Sequence, residues 1–104
     1  MRKKIPGQQL SGMIAEASEM IPPESLWRHY KGGVYRVVCI AFDEETLDFE
    51  VVYEPIDSPE IHFTRRMVIW LESVDWEGVA LPRFERMTNH PETLVDAIAV
   101  EPLS

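Results

Sequence analysis

From Leu26 to Phe84 the hydrophobic pattern of the chain has a period of two, broken only by short polar turns. The alternation is clearest over residues 47–54, where every second residue is apolar or aromatic. Successive side chains of a β-strand point to opposite faces, so this pattern predicts strands with one side in a core and the other in water. The chain is therefore expected to be mainly β.

Turn signals divide this region into about five short strands. The expected strands cover residues 27–30, 34–42 and 47–54, followed by a hairpin of residues 73–76 and 79–84 around Glu77-Gly78. Residues 61–64 are expected to resume the pairing before that hairpin. Thr64 is expected to cap a short helical turn through Trp70, with a strand there as the alternative. Short strands joined by tight turns favour a small SH3-like antiparallel barrel or roll, because closure hides the sheet edges.

Two helices are expected to flank the strands. Residues 8–21 carry apolar side chains at helical spacing, and Pro22-Pro23 ends that helix. A second, short helix is expected to start near Asn89-His90-Pro91, with proline at its first helical position. The 104 residues then form one domain: an N-terminal helical extension (1–25), a β-barrel core (26–87) and a C-terminal helical tail (88–104).

Composition narrows the classes of partner. The net charge of −8 disfavours nucleic acid and anionic membranes, since both are bound through Lys and Arg. A single cysteine, Cys39, offers no disulfide framework, and Pro6-Gly7 interrupts the N-terminal segment where a signal peptide needs an apolar run. We therefore expect a cytoplasmic protein without a membrane span.

The charges are segregated along the chain. Residues 43–60 contain eight acids and no base, whereas residues 25–41 and 61–71 supply five bases: Arg28, Lys31, Arg36, Arg65 and Arg66. One interpretation is internal pairing, for example between Arg36 and Glu50 on neighbouring strands. The other is a local cationic face that binds a carboxylate or another anion.

The candidate ligand-binding site combines these bases with nearby aromatic residues. Its members are Trp27, Arg28, His29, Tyr30, Lys31, Tyr35, Arg36, Arg65 and Arg66. The leading hypothesis is a non-catalytic module that binds a protein, a peptide or a small anionic ligand there. Packing of the aromatic rings in the core is the competing interpretation, because a small barrel has few other large side chains.

Two further hypotheses remain open. His29 with Glu72 or Asp75 would give an acid–base pair for a small enzyme or enzyme subunit, although no nucleophile motif is present and no catalytic residue is assigned. Alternatively, the N-terminal helix mediates homo-oligomerisation through its apolar residues, which are Leu10, Met13, Ile14, Ala17 and Met20. No metal or cofactor is expected, because the histidines and the cysteine lack ligand spacing.

Several motifs occur in the order seen in one bacterial family. They are Trp27-Arg28-His29-Tyr30-Lys31-Gly32-Gly33-Val34-Tyr35, then Val51-Val52-Tyr53, Trp70-Leu71-Glu72 and Pro82-Arg83-Phe84-Glu85. On these motifs, residues 26–87 resemble the bacterial domain of unknown function 1653. The resemblance implies an SH3-like small barrel and carries no activity, substrate or cofactor. Members of that family commonly have Arg-Pro before the helical turn, where this chain has Arg65-Arg66.

Overall fold

A computed structural model describes residues 6–88 of the chain. In chain order its elements are α1 (Gly7–Met20), β1 (Leu26–His29), β2 (Val34–Phe42), β3 (Phe49–Pro55), β4 (Phe63–Arg66), α2 (Met67–Trp70), β5 (Ser73–Trp76), β6 (Val79–Pro82) and β7 (Phe84–Met87). The prediction of a mainly β fold behind an N-terminal helix is confirmed. The predicted C-terminal helix lies outside the described residues.

Across the described residues, seven strands form two antiparallel sheets. Five of them pair in the order β4-β3-β2-β1-β7, and β5 and β6 form a separate two-stranded ribbon. The described residues contain two more strands than the five expected, because Phe63–Arg66 form the separate strand β4 and the segment predicted as residues 79–84 divides at Arg83 into β6 and β7. Within residues 6–88, β4 and β7 remain the two edges of the large sheet, so the structure shows no closed barrel there.

Helices α1 and α2 cover the apolar side of the large sheet. Ala17 and Ile21, near the end of α1, join the buried cluster, and Ile14 packs against it. The helical turn before Trp70 is confirmed as α2, but Thr64 does not cap it, because β4 continues through Arg66. Arg66 stands where members of the resembled family commonly have proline. It has φ −58° and ψ 140°, a conformation that proline also adopts.

A β-bulge in β2 decides which side chains reach the core. Val37 pairs with Tyr53, and the next pair is Cys39 with Val52, so the strand gains one unpaired residue. Val37 and Ile40 are consequently both buried, although they are three residues apart. Cys39, which regular alternation would place on the same face as Val37, is half-buried.

Candidate functional site

The strand register places four of the key side chains on one face of the large sheet. Trp27 lies opposite Tyr35, and His29 lies opposite Phe84. Directly paired residues of antiparallel strands point to the same side, so these four share the face that carries the core. Arg65 belongs to the same face, because its cross-strand neighbour in β3 is a buried valine.

The remaining arginines of the predicted site lie on the opposite face. The cross-strand pairs there are Arg28 with Val34, Arg36 with Glu54 and Arg66 with Glu50. Arg36 is engaged internally: its Nη1 lies 3.3 Å from Glu54 Oε2 and its Nε lies 4.0 Å from Glu24 Oε1. The Arg36–Glu50 pair suggested by the sequence is wrong. The alternating pattern predicts on which face of the sheet a glutamate lies, but it does not fix which residues of two neighbouring strands lie opposite each other. The nine predicted residues therefore do not form one surface.

Trp27 is part of the core. Its indole packs edge-on against Trp70, with ring centroids 5.6 Å apart, and its Nε1 donates a hydrogen bond to Ser25 Oγ at 2.8 Å. A buried indole N–H that has a partner is a stable packing arrangement. Trp27 therefore packs in the core beneath the other residues of the predicted site.

A cationic cluster forms where the ends of β1, β4 and β7 meet; we define it as His29, Lys31, Arg65 and Arg83. The guanidinium carbon of Arg65 lies 5.6 Å from the centroid of the Phe84 ring, within cation–π range. Its Nε donates a long hydrogen bond, 3.5 Å, to the Tyr53 hydroxyl. These two contacts hold the guanidinium against the aromatic core.

Arg83 is a member of this cluster that sequence reasoning missed. Its Nε donates to the Ile69 carbonyl oxygen at 3.2 Å, and its Nη2 pairs with Glu72 Oε1 at 3.1 Å. Arg83 stands in the Pro82-Arg83-Phe84 motif, and that motif was used only for family resemblance. The motif itself marks Arg83, but its place beside His29 follows from the pairing of His29 with Phe84, which the sequence does not specify.

The pKa of His29 reflects the positive charge of the cluster. The Lys31 backbone N–H donates to His29 Nδ1 at 3.2 Å, so the neutral ring carries its proton on Nε2. Desolvation lowers the pKa of His29 from its ordinary value, and the charges of Arg65, Arg83 and Lys31 lower that pKa further. Three cations thus act on one partly exposed imidazole.

Aromatic side chains border the cluster on its exposed side. The Tyr30 ring packs against His29, with centroids 4.5 Å apart, and against Trp76, with centroids 5.4 Å apart. Lys31 Nζ lies 5.8 Å from the centroid of Tyr30. Trp76 is exposed and was also absent from the predicted site. The hairpin of β5 and β6 therefore adds an apolar wall beside the cations.

The two acids that sequence analysis paired with His29 are engaged elsewhere. Glu72 forms the ion pair with Arg83, and Asp75 Oδ1 accepts the Gly78 N–H at 3.0 Å in the β5–β6 turn. Between residues 6 and 88, no carboxylate hydrogen-bonds to His29. An oriented acid–base pair needs such a contact, directly or through one water.

No group of three or more His, Cys, Asp or Glu side chains in the described part of the chain is placed to hold a metal ion. Nor does any described helix have the length and apolarity to cross a membrane.

The fold and the site together define a small mainly β domain that carries cations and aromatic rings on one exposed end. The model of the family called protein of unknown function (DUF1653) matches residues 25–86, and the chain belongs to that family. The predicted resemblance over residues 26–87 is thereby confirmed. No curated protein matches the chain.

A solved structure supports the same assignment. It is the crystal structure of a DUF1653 protein from Bordetella bronchiseptica, 32% identical in sequence, with a TM-score of 0.57. The match covers 64% of this chain and 88% of that one. The family match begins at Ser25, so α1 lies before it.

Proposed function

We propose that this protein is a non-catalytic binding module that holds a carboxylate-bearing ligand at the cationic cluster. The ligand class is an acidic peptide or a small carboxylate, and the setting is the bacterial cytoplasm. The observation that carries the proposal is the position of Arg65, whose guanidinium lies against the same Phe84 ring that His29 contacts.

Arg65 is suited to a carboxylate for a geometrical reason. Its Nε is engaged with Tyr53, and its two terminal nitrogens have no partner among residues 6–88. A guanidinium with a fixed plane and free terminal N–H groups donates two parallel hydrogen bonds to a carboxylate. His29 Nε2–H adds a neutral donor, because its Nδ1 already accepts from Lys31.

The aromatic border supports a ligand longer than a single anion. Trp76 is exposed beside Tyr30, and Phe63 is 45% exposed beside Tyr53. Amphipathic aromatic surfaces of small β domains accept extended peptides, while cations at one end fix the register. An acidic peptide satisfies both parts of such a surface.

The overall charge of the chain favours the binding of a short anion over the binding of a polyanion. A net charge of −8 repels polyanions at long range, whereas the cluster attracts an anion within roughly one Debye length, about 8 Å at physiological salt. Nucleic acid needs a long cationic track, so a short carboxylate ligand fits better.

Amide chemical shifts during titration test the proposal. The probes are succinate, a hexapeptide of alternating Glu and Leu, inorganic phosphate and single-stranded RNA. We expect the peptide to perturb His29, Lys31, Arg65 and Arg83, and Arg65→Gln to weaken its binding at least about tenfold, since charged bidentate pairs contribute on the order of 1.5–3 kcal/mol.

Arg36→Gln is the matched control, because Arg36 lies on the opposite face and is paired with Glu54. Perturbations confined to that opposite face, or a peptide affinity that Arg65→Gln leaves unchanged, would overturn the proposal. Tighter binding of RNA or phosphate than of the peptide would reject the carboxylate as the ligand class.

A further inference from the structure

The hairpin of β5 and β6 has one apolar face. The register pairs Val74 with Leu81 and Trp76 with Val79. Directly paired residues, and residues two apart in one strand, point to the same side, so these four side chains share a face. Val74 and Leu81 are half-buried, whereas Trp76 is 41% exposed and Val79 is 56% exposed. The face is therefore covered near the base of the hairpin and open near its tip.

This apolar face is continuous with the cationic cluster through Tyr30. The Trp76 and Tyr30 ring centroids lie 5.4 Å apart, and those of Tyr30 and His29 lie 4.5 Å apart. The Tyr30 N–H also donates to the Arg83 carbonyl oxygen at 3.0 Å, which fixes Tyr30 beside the base of the hairpin. Since a strand advances about 3.3 Å per residue, roughly three residues of an extended peptide span the path from Trp76 to His29.

The charge changes sign along this surface. Residues 72–82 contain three acids and neither Lys nor Arg. Glu72 forms the ion pair with Arg83, but Asp75 and Glu77 are exposed near the tip. Exposed charges act on a ligand within about one Debye length, roughly 8 Å at physiological salt. The tip of the hairpin therefore disfavours a carboxylate, whereas the cationic cluster favours one.

We infer that the ligand of the cationic cluster is an extended protein segment with apolar side chains at one end and its carboxylates at the other. This assignment rests on the proposed function, in which Arg65 binds a carboxylate, and it adds the polarity of the ligand. The apolar end lies on Trp76 and Val79. A peptide that is acidic along its whole length binds less tightly, because it brings carboxylates close to Asp75 and Glu77.

The strand edges of the hairpin favour a peptide over an acyl chain with a carboxylate head group. Among the described residues β5 and β6 pair only with each other, so each strand keeps one edge without a strand partner. Backbone N–H and C=O groups at such an edge form hydrogen bonds with an extended peptide. An acyl chain has no groups that could form them.

Three capped hexapeptides of equal composition test the polarity. Each carries an N-terminal acetyl group, a C-terminal amide, three leucines and three glutamates. In two segregated peptides the leucines form one block and the glutamates the other, in either order, and in the third peptide the two residues alternate. By chemical-shift titration, we expect the tighter segregated peptide to bind at least about threefold more tightly than the alternating one.

Trp76→Ser and Val79→Ser test the apolar end of the surface. Both should weaken the tighter segregated peptide, Trp76→Ser at least about fivefold because aromatic side chains dominate such contacts. Both should leave the affinity for succinate unchanged, since succinate has no apolar block. Val68→Ser is the matched control, because Val68 is 65% exposed but lines the groove that α2 forms with α1. Thermal unfolding verifies that each variant stays folded.

Removal of the acids at the tip tests the charge. Asp75→Asn combined with Glu77→Gln should lower the preference for the segregated over the alternating peptide to about half its wild-type value or less. The Asn side chain keeps an oxygen that can accept the Gly78 N–H. Glu19→Gln combined with Glu45→Gln changes the net charge equally, at α1 and in the β2–β3 turn, and should leave the preference unchanged.

Arg65→Gln separates a failure of the proposed function from a failure of the polarity. Affinities that Arg65→Gln leaves unchanged would overturn the proposed function and the polarity with it. Affinities that depend on Arg65 would overturn the polarity alone in three cases: no preference for a segregated peptide, no effect of Trp76→Ser and Val79→Ser, or tighter binding of decanoate than of any peptide.

Discussion

The Trp70 indole and the Phe84 ring lie face to face, with centroids 3.7 Å apart and planes inclined by only 4°. This contact joins α2 to the edge strand β7 across the core. Phe84 is also the ring against which Arg65 and His29 lie, since the His29 centroid is 4.9 Å from it. The geometry of the cationic cluster therefore depends on an apolar contact beneath it.

Phe84→Ala should be strongly destabilising. The ring is buried and contacts Trp70, so its loss leaves a cavity, and the free energy of unfolding should fall by about 3–5 kcal/mol in urea denaturation. Phe63→Ala is the control, because Phe63 is exposed at the edge strand β4, and its loss should cost less than about 1.5 kcal/mol. Equal losses for the two variants would contradict the role given to Phe84.

The elements that sequence reasoning located are those with strong local signals. Residues 34–42 were predicted as a strand and form β2 with the same bounds, because β-branched and aromatic side chains fill it without interruption. The hairpin turn predicted at Glu77-Gly78 joins β5 to β6, and Gly78 there has φ +82°. Such features depend on residues close in sequence.

The parts that sequence reasoning missed depend on strand register. Nothing in the composition of β2 distinguishes a bulge after Val37 from regular alternation, yet the bulge moves Ile40 into the core and Cys39 partly out of it. The strand register also places Arg36 and Arg65 on opposite faces of the sheet, although the charge pattern along the sequence had grouped them in one candidate site. Charge segregation along a strand cannot specify a face, because adjacent residues point in opposite directions.

Glu77→Asn should stabilise the protein. Glu77 has φ +53° and precedes Gly78 in a two-residue hairpin turn, so the turn has positive φ at both positions. Asn tolerates this conformation better than Glu, and we expect a gain of about 0.5–1 kcal/mol by thermal or urea unfolding. Glu60→Asn serves as the control, because Glu60 is exposed and does not have positive φ. A gain of the same size at both positions would argue against turn strain as the cause.

Gly32→Ala and Gly33→Ala should have different effects in the β1–β2 turn. Gly32 has φ +109°, which strains any other residue, so Gly32→Ala should lower the free energy of unfolding by about 1 kcal/mol or more. A Cβ on Gly33 would lie 3.0 Å from the Tyr35 ring, so Gly33→Ala should instead displace that ring. Urea unfolding measures the first effect, and the ring proton shifts of Tyr35 measure the second.

The structure gives positive φ to Gly32 and the close approach to Gly33. Unchanged Tyr35 shifts in Gly33→Ala, or a larger loss of stability there than in Gly32→Ala, would contradict this division.

The titration of His29 should reveal the cationic cluster directly. Its pKa should lie below the ordinary value of about 6.5, because desolvation and the cations disfavour the imidazolium. Arg65→Gln should raise the pKa part of the way back, since desolvation remains. Arg36→Gln, on the opposite face, should leave it unchanged. The ring proton shifts of His29 followed by NMR against pH measure all three values.

The lowered pKa of His29 also predicts how the stability of the protein and its affinity for a carboxylate change with pH. The folded state binds the His29 proton less readily than the unfolded state, so stability should fall as the pH drops from about 6.5 through the lowered pKa, and then level off.

A bound carboxylate offsets the charges of Arg65, Arg83 and Lys31, so it should raise the His29 pKa. Binding then takes up protons, and the affinity for the Glu-Leu peptide should increase as the pH falls, while the peptide stays ionised. A ligand that lowers the His29 pKa, or an affinity that decreases between pH 7.5 and about 5.5, would place the ligand outside the cluster.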